Sequence, residues 1–509
     1  MQRQDSKSQI QRAEYLSLAL MFGAFRQRRS GEPPLDRGPL PWLGHVLDFR
    51  RDTATFLEKM KRKHGDIFTV LLGGYYYTFV MDPLSFGTVM KEPRTKLDFN
   101  TFAGQLVKIV FGYQPMIKNQ FSLENSNKHL MGDGLVVMTQ AMMSNLQNLM
   151  LHSIGTRNNS QKIWKEDGLF NYSYNIVFRA GYLSLFGNET PTSTASLEKD
   201  REESQELFCE FRKYDQLFPK LVYRVLPPGE KIEAERLKRL FWNMLSVRKM
   251  RTKGNISSWV QVQQQERAEQ DMEEFMQDRF MLLLLWASQS NTGPSSFWLL
   301  LYLMKHPDAM RAVRQEVEKV LKETGQEVKD GAPLVDLTRD MLLQTPILDS
   351  AVEETLRLTT APILTRAVIK DMSLKMADGN EYCLREGDRL AMFPHTAVQK
   401  DPNIHPDPLS FKYDRFLTAE GDKKTEFYKD GKRLKYYNMP WGAGSTMCPG
   451  RFFATNELKQ FVFLMLAYFD LELKNPDEKI PEIDVRRWGF GSMQPINDVQ
   501  FRYRLKLNN

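Results

Sequence analysis

Cysteine is scarce: Cys209, Cys383 and Cys448 are all the chain has. They lie too far apart for a zinc-ligand pattern and are too few for a disulfide framework, which fits a reducing compartment. The sequons at Asn158, Asn171, Asn188 and Asn255 are then chance matches on the cytosolic side. No internal repeat and no nucleic-acid motif is present. The formal charge of +7 and pI near 9.0 therefore point to an acidic protein or an anionic membrane surface, and not to nucleic acid. A long uninterrupted apolar run is missing near the start, where only residues 15–25 are apolar. A helix of that length reaches about 16 Å, against a hydrocarbon core of about 30 Å.

What is present describes an ordinary globular protein, 42% apolar and 26% charged, with enough Phe and Met for a large core. Length alone allows several domains. The basic residues Arg26, Arg28 and Arg29 follow the short apolar patch, and the proline-rich GEPPLDRGPLPWLG comes next. We read residues 1–30 as a membrane-associating segment or an altered anchor, and 31–44 as a stiff linker. Beyond it, DIFTVLLGGYYYTFVMD predicts a hairpin turning at Gly73-Gly74. Helical periodicity marks PDAMRAVRQEVEKVLKE and ILDSAVEETLRL, while EYCLREGDRLAMF alternates as a hairpin would. The class is mainly α with a smaller β part. The charged or polar stretches 189–206 and 248–268 are the expected flexible segments.

The uncharged run FMLLLLWASQSNTGPSSFWLLLYLM, residues 280–304, has the length of a membrane span. Its centre, 288–296, is rich in Ser, Asn, Gln and Thr and contains Gly293-Pro294. This predicts a helix buried through the protein core, polar where it passes a functional site, with its backbone ladder loosened at the Gly-Pro pair.

The segment carrying the chemistry is MPWGAGSTMCPGRFF, residues 439–453. Its glycines let the backbone approach a flat ligand closely. Cys448-Pro449 leads into the apolar helix FFATNELKQFVFLMLAYF, whose N-terminal N–H groups favour a thiolate, the form that binds a metal. Cys209 and Cys383 are read as small core hydrophobes. ETLR places Glu354 and Arg357 on one helix face, a common surface arrangement in itself.

The loop resembles that of the cytochrome P-450 family, an aromatic and Gly-x-Gly followed by Cys-x-Gly opening a helix; Trp441, Gly442, Gly444, Cys448 and Gly450 match. The resemblance implies the family fold, with haem b between a long central helix and the cysteine helix, and Cys448 as axial thiolate ligand of its iron. It implies use of dioxygen and of NADPH-derived electrons delivered by a cytochrome reductase. Thr446 stands where most of the family has an Arg or His on a haem propionate, so Arg366 in PILTRAV becomes the first candidate for that role and Lys128 in NKHLMGDG the second. Glu354, Arg357 and Arg415 of KYDRF match the family's structural Glu-Arg-Arg network. The matches cover about nine tenths of the chain, which makes 45–509 a single haem-thiolate monooxygenase domain and sets aside the several-domain reading.

In WASQSNTGP the family's proton-delivering acid is replaced by Ser290 and its first alcohol by Asn291, with Thr292 following. An amide hydrogen-bonds oxygen or water but is no acid at neutral pH. This pattern resembles the branch holding bile-acid sterol hydroxylases and a peroxide-rearranging synthase. Retention of Thr292 favours hydroxylation. Further segments, among them VMDPLSFG, AGYLSLFG, DPNIHPDP and RWGFGSMQP, resemble the hydroxylases. The implied reaction is 12α-hydroxylation of 7α-hydroxycholest-4-en-3-one on the route to cholic acid, at the endoplasmic reticulum membrane with the domain facing the cytosol. A peroxide isomerase and a non-catalytic haem or sterol binder are the alternatives. Asn291 and Thr292 are the candidate catalytic pair. Trp286, Ala287, Ile363, Leu364, Phe490, Ser492, Met493 and Gln494 correspond to substrate-contact regions, suited to a sterol's large apolar face and few oxygens. Lys429, Lys432, Arg433 and Lys435 form a candidate reductase-docking cluster. LFPKLVYRVLPPG, residues 217–229, either dips into the membrane or covers the core.

Overall fold

The computed structural model describes residues 26–114, 126–152, 163–329 and 332–506. The apolar patch at 15–25 and the Asn158 sequon fall outside them. Among the described residues the architecture is mainly helical, with one six-stranded sheet and three smaller ones. The larger sheet runs in the order Leu35–Asp36, Ile67–Leu72, Tyr75–Val80, Arg389–Met392, Leu364–Val368, Leu97–Asp98. Its first hairpin pairs Leu72 with Tyr75 across Gly73 and Gly74, both left-handed at φ 57° and 84°, the conformation such a tight turn needs. One apolar core lies among the helices, and a second lies against this sheet.

The run 280–304 is a broken helix, Glu274–Gln289 and then Thr292–Lys305, interrupted at Ser290 and Asn291. Pro294 has no N–H to offer the carbonyl of Ser290, and the Tyr174 hydroxyl donates to that carbonyl instead at 3.3 Å. Gly293 makes room for it, since a β-carbon there would lie 2.0 Å from the Tyr174 ring. Phe297 to Leu301 are almost wholly buried in protein. Among the described residues no helix is long and apolar enough to cross a membrane.

Pro307–Glu323 and Pro346–Thr359 form helices where periodicity predicts them. Four expectations change. EYCLREGDRLAMF is not a hairpin: Glu381–Leu384 pairs back onto Met372–Lys375, while Arg389–Met392 enters the large sheet between Tyr75–Val80 and Leu364–Val368. Alternation reports which side of a strand is buried and is silent on its partner. The segments expected to be flexible are ordered against each other. Lys253, 7% exposed, lies 2.6 Å from both Glu189 and Glu203 and 4.0 Å from Asp200, and Asn188 and Gly254 exchange backbone hydrogen bonds. Cys209 and Cys383 are exposed, one on the polar face of Thr194–Val222, the other on a two-stranded sheet facing Gly31. The proline-rich stretch is docked: Leu35–Asp36 adds a parallel strand, and Glu32 pairs with Arg385.

Candidate active site

The cysteine loop ends on the helix Arg451–Tyr468, and the Cys448 N–H donates to the Trp441 carbonyl at 2.9 Å, closing the loop on itself. Gly442 and Gly444 sit at φ 72° and 66°, which a side chain would strain. Gly450 has an ordinary φ, and its place faces the sulfur, with a β-carbon position 4.0 Å from Cys448 Sγ. Burial pushes the Cys448 thiol up, while the N–H groups of Gly450 and Arg451 favour the thiolate. The Arg451 side chain donates to the Cys448 carbonyl at 3.0 Å.

Arg366 leaves its strand towards the same loop. Its Nη2 donates to Thr446 Oγ1 at 2.8 Å, so the cation stands beside the position from which the family's Arg or His is missing. The residue is 6% exposed, burial lowers the pKa of its guanidinium against the smaller opposing pull of Tyr436 and Asp98, and no carboxylate among the described residues forms an ion pair with it. A buried cation without a counter-charge is costly. An acidic group such as a haem propionate is what this site fits, and the half-buried Cys448 sulfur is what iron requires. Lys128, by contrast, is exposed on the short helix Ser126–Leu130.

A chain of contacts runs from the loop to the broken centre of the long helix. Leu364 approaches Gly442, where a β-carbon would lie 3.6 Å from Leu364 Cδ2. Residues 360 and 362 bridge to Ser492 and Gly489. Asn291 then connects to that turn, its Oδ1 accepting from the Ser492 N–H at 2.9 Å, while its Nδ2 has only a 3.3 Å contact with Ser290 Oγ. Ser295 Oγ donates to Ser492 Oγ at 3.0 Å. The Asn291 carbonyl is committed to the backbone, and its amide N–H end holds only the neighbouring Ser290 hydroxyl. Thr292 Oγ1 is buried with no hydrogen-bond partner. Ala287 is exposed although Leu285 and Gln289 are buried, so this side of the helix faces an open space.

Above the helix lies an aromatic cluster. Trp286 stacks on Phe218 at 4.1 Å and 7°, Phe111 leans on Trp286 at 5.7 Å, and Phe490 meets Phe218 edge-on at 5.3 Å. The Trp286 indole N–H is buried without an acceptor. Ile363 packs against Gly489, leaving no room for a side chain there. Met493 is fully buried in the sheet-side core, its N–H and carbonyl bonded to Thr359 and Trp298. Gln494 is spent on the buried Asp215 at 2.7 Å and on Arg212 at 3.1 Å. Phe111, Tyr174 and Asp215 had no signal in the sequence as site residues, and Phe218 lay in a segment read as touching the membrane or covering the core. Only the folding of distant segments brings them here.

Behind the cysteine loop, Glu354 is wholly buried and receives Arg357 Nε at 2.7 Å, Arg357 Nη2 at 2.9 Å, Arg415 Nε at 2.9 and 3.0 Å, and the Lys412 N–H at 3.0 Å. The two guanidinium groups then hold the carbonyls of Gln399, Pro406, Asp407, Pro408 and Ser410. These bonds tie residues 399–410, ahead of the loop, to the helix Pro346–Thr359.

Fold and loop together define a haem-thiolate enzyme. A model described as Cytochrome P450 matches residues 33–501, and the chain belongs to this family of monooxygenases, which carry haem iron on a cysteine thiolate and use dioxygen and NADPH-derived electrons. Among its relatives, the chain is 52% identical to the 5β-cholestane-3α,7α-diol 12α-hydroxylase of Sus scrofa, across 95% of both chains. It is 51% identical to the 7α-hydroxycholest-4-en-3-one 12α-hydroxylase of Homo sapiens, over 97% of this chain and 96% of that one. Prostacyclin synthase of Homo sapiens is 46% identical over 94% of this chain and 95% of its own.

Proposed function

We propose that this enzyme hydroxylates a 7α-hydroxylated sterol at the 12α position, with 7α-hydroxycholest-4-en-3-one as the substrate of choice in bile-acid synthesis. The relatives named for that reaction support it, and the observation that carries it is the buried, unpartnered Thr292 hydroxyl beside Asn291. Cys448 would hold the iron of a bound haem, which would supply dioxygen activation. Arg366, seated on Thr446, neutralises a propionate. The Asn291 amide, pinned through its carbonyl, presents N–H donors to oxygen or an ordered water, and Thr292 adds the hydroxyl that takes and passes a proton. Trp286, Ala287, Leu364 and Phe490 form the apolar wall for the sterol, with the free indole N–H as donor to a sterol oxygen. Met493 and Gln494 support this wall from behind.

Residues 45–509 act as one catalytic domain. It lies on the cytosolic face of the endoplasmic reticulum membrane, which the turn after Thr194–Val222 touches through exposed Val225 and the following helix Pro228–Met244 through exposed Ile232, while Phe218 and Leu221 cover the core. The reductase docks on the basic hairpin. There Lys432 and Lys435 are exposed and without ion pairs among the described residues, whereas Lys429 pairs with Asp401 and Arg433 lies 3.4 Å from Glu426. An ionic-strength dependence of reduction that survives neutralising Lys432 and Lys435 refutes that docking.

The deciding experiment incubates the enzyme with reductase, NADPH and the sterol enone, and assigns the product by mass spectrometry and NMR. A 12α-alcohol supports the proposal; a different position refutes the regiochemistry. Rearrangement of a peroxide without reductase favours a prostacyclin-synthase-like isomerase, the reading supported by the missing acid at Ser290.

A further inference from the structure

Two buried acceptor oxygens converge on one point in the helical core, and neither receives a hydrogen bond. Glu457 lies on the cysteine helix and is 1% exposed, and Gln289, wholly buried, ends the first half of the central helix. Both side chains converge over the bare backbone of Gly181. A β-carbon there would lie 2.5 Å from Gln289 Oε1, 2.8 Å from Glu457 Oε1 and 2.9 Å from Gln289 Nε2. Neither Oε1 has a hydrogen-bond partner. Gln289 Nε2 is turned to Ser288 Oγ at 3.3 Å.

An ionised carboxylate here would face another oxygen in an apolar core without a cation, an arrangement proteins avoid. A protonated carboxyl supplies the missing donor, and one O–H satisfies both acceptors. Burial pushes the Glu457 carboxyl far above the usual range, and no charged group on the neighbouring helices contributes. The consequence reaches the site because Gln289 immediately precedes Ser290 and Asn291, where the helix is broken and its own ladder no longer fixes the backbone.

We propose that Glu457 is a positioning residue: as a neutral acid it donates its O–H to Gln289 Oε1, locking the cysteine helix to the central helix just before the break and so holding Asn291 in register. The link to oxygen chemistry rests on the role proposed for Asn291. The first arm below does not.

The test uses the full-length haem-loaded protein. Infrared difference spectra between wild type and Glu457→Gln should show a protonated-carboxyl band that shifts in deuterium oxide, persists from pH 5 to 9 and is absent in the variant. If only carboxylate bands appear, Gln289 instead presents its amide N–H to an ionised Glu457, and the proposal is overturned. The second arm reads the C–O stretch of carbon monoxide on the reduced protein, together with coupling of NADPH use to product. Glu457→Gln keeps a donor and should retain the wild-type stretch and coupling within about twofold. Glu457→Leu and Gly181→Ala, which removes the space where the two side chains meet, should move the stretch as Asn291→Ala does and lower coupling about fivefold. A wild-type stretch in both of these variants overturns the positioning role even if the sterol reaction proves to be a different one.

Discussion

Two polar regions flank the haem-binding loop, and they are built on opposite terms. At Glu354 the charge is answered: one carboxylate takes five hydrogen bonds from two guanidinium groups and a backbone N–H, and the arginines spend their remaining donors on carbonyls. Around Asn291 bonds are left open. Thr292 Oγ1 and Trp286 Nε1 are buried without partners, and the Asn291 amide N–H end meets only the adjacent Ser290 hydroxyl at 3.3 Å. Saturated burial makes a rigid support, while open donors in an apolar wall have value only when something else binds there. The same residue chemistry thus separates a scaffold from a site.

Breaking the saturated side should cost most. Glu354→Ala leaves Arg357 and Arg415 buried without a counter-charge, and we expect a loss of about 3–5 kcal/mol in denaturant unfolding, with little haem-loaded protein recovered. A loss below about 1 kcal/mol would mean that the network is not the support described. Acid probes the same side through two buried histidines. Burial pushes His395 down to about 3 and His405 down to about 4, their rings bonded to the carbonyls of Thr360 and Tyr437. Both stay neutral in the folded protein while the unfolded chain takes up protons near pH 6.5, so stability is full above pH 6.5 and falls as pH drops towards 4. Each contributes a slope of up to about 1.4 kcal/mol per pH unit, and His405→Asn should flatten it in an acid-unfolding series.

Between the two regions stands Arg366. Replacing it by Leu removes a charge-assisted bond worth about 1.5–3 kcal/mol, so haem transfer to an acceptor protein should quicken roughly 10–100-fold. Adding Thr446→Arg in that background should restore retention, because the cation returns from the loop side. No change in transfer rate would take Arg366 out of the site. On the open side the effects on stability are small. Asn291→Ala loses the acceptor for the Ser492 N–H and should cost about 1 kcal/mol. Thr292→Val removes a hydroxyl that bonds nothing and should leave stability within about 0.5 kcal/mol, while coupling of NADPH to product falls several-fold. A destabilised Thr292→Val with normal coupling would reverse the comparison.

Much of this was legible one segment at a time. The Gly73-Gly74 hairpin, the helix Pro307–Glu323 and the cysteine loop follow from turn chemistry and periodicity within a few residues of each other. EYCLREGDRLAMF was misleading because its two strands choose partners from elsewhere in the chain. The acidic 189–206 and basic 248–268 each look solvated alone, and together they bury Lys253 among carboxylates. Glu457 and Gln289 are unremarkable letters until Gly181 lets them meet.

By itself the sequence determined the features whose causes are local. Cys448 opens a helix after a loop that only glycines can bend, and Pro294 breaks the central helix because it has no N–H to give Ser290. The tertiary structure alone decided which buried polar groups would be saturated and which left open. A hydrogen bond in the core depends on a partner from a distant segment, and Glu354 finds Arg415 where Thr292 finds none.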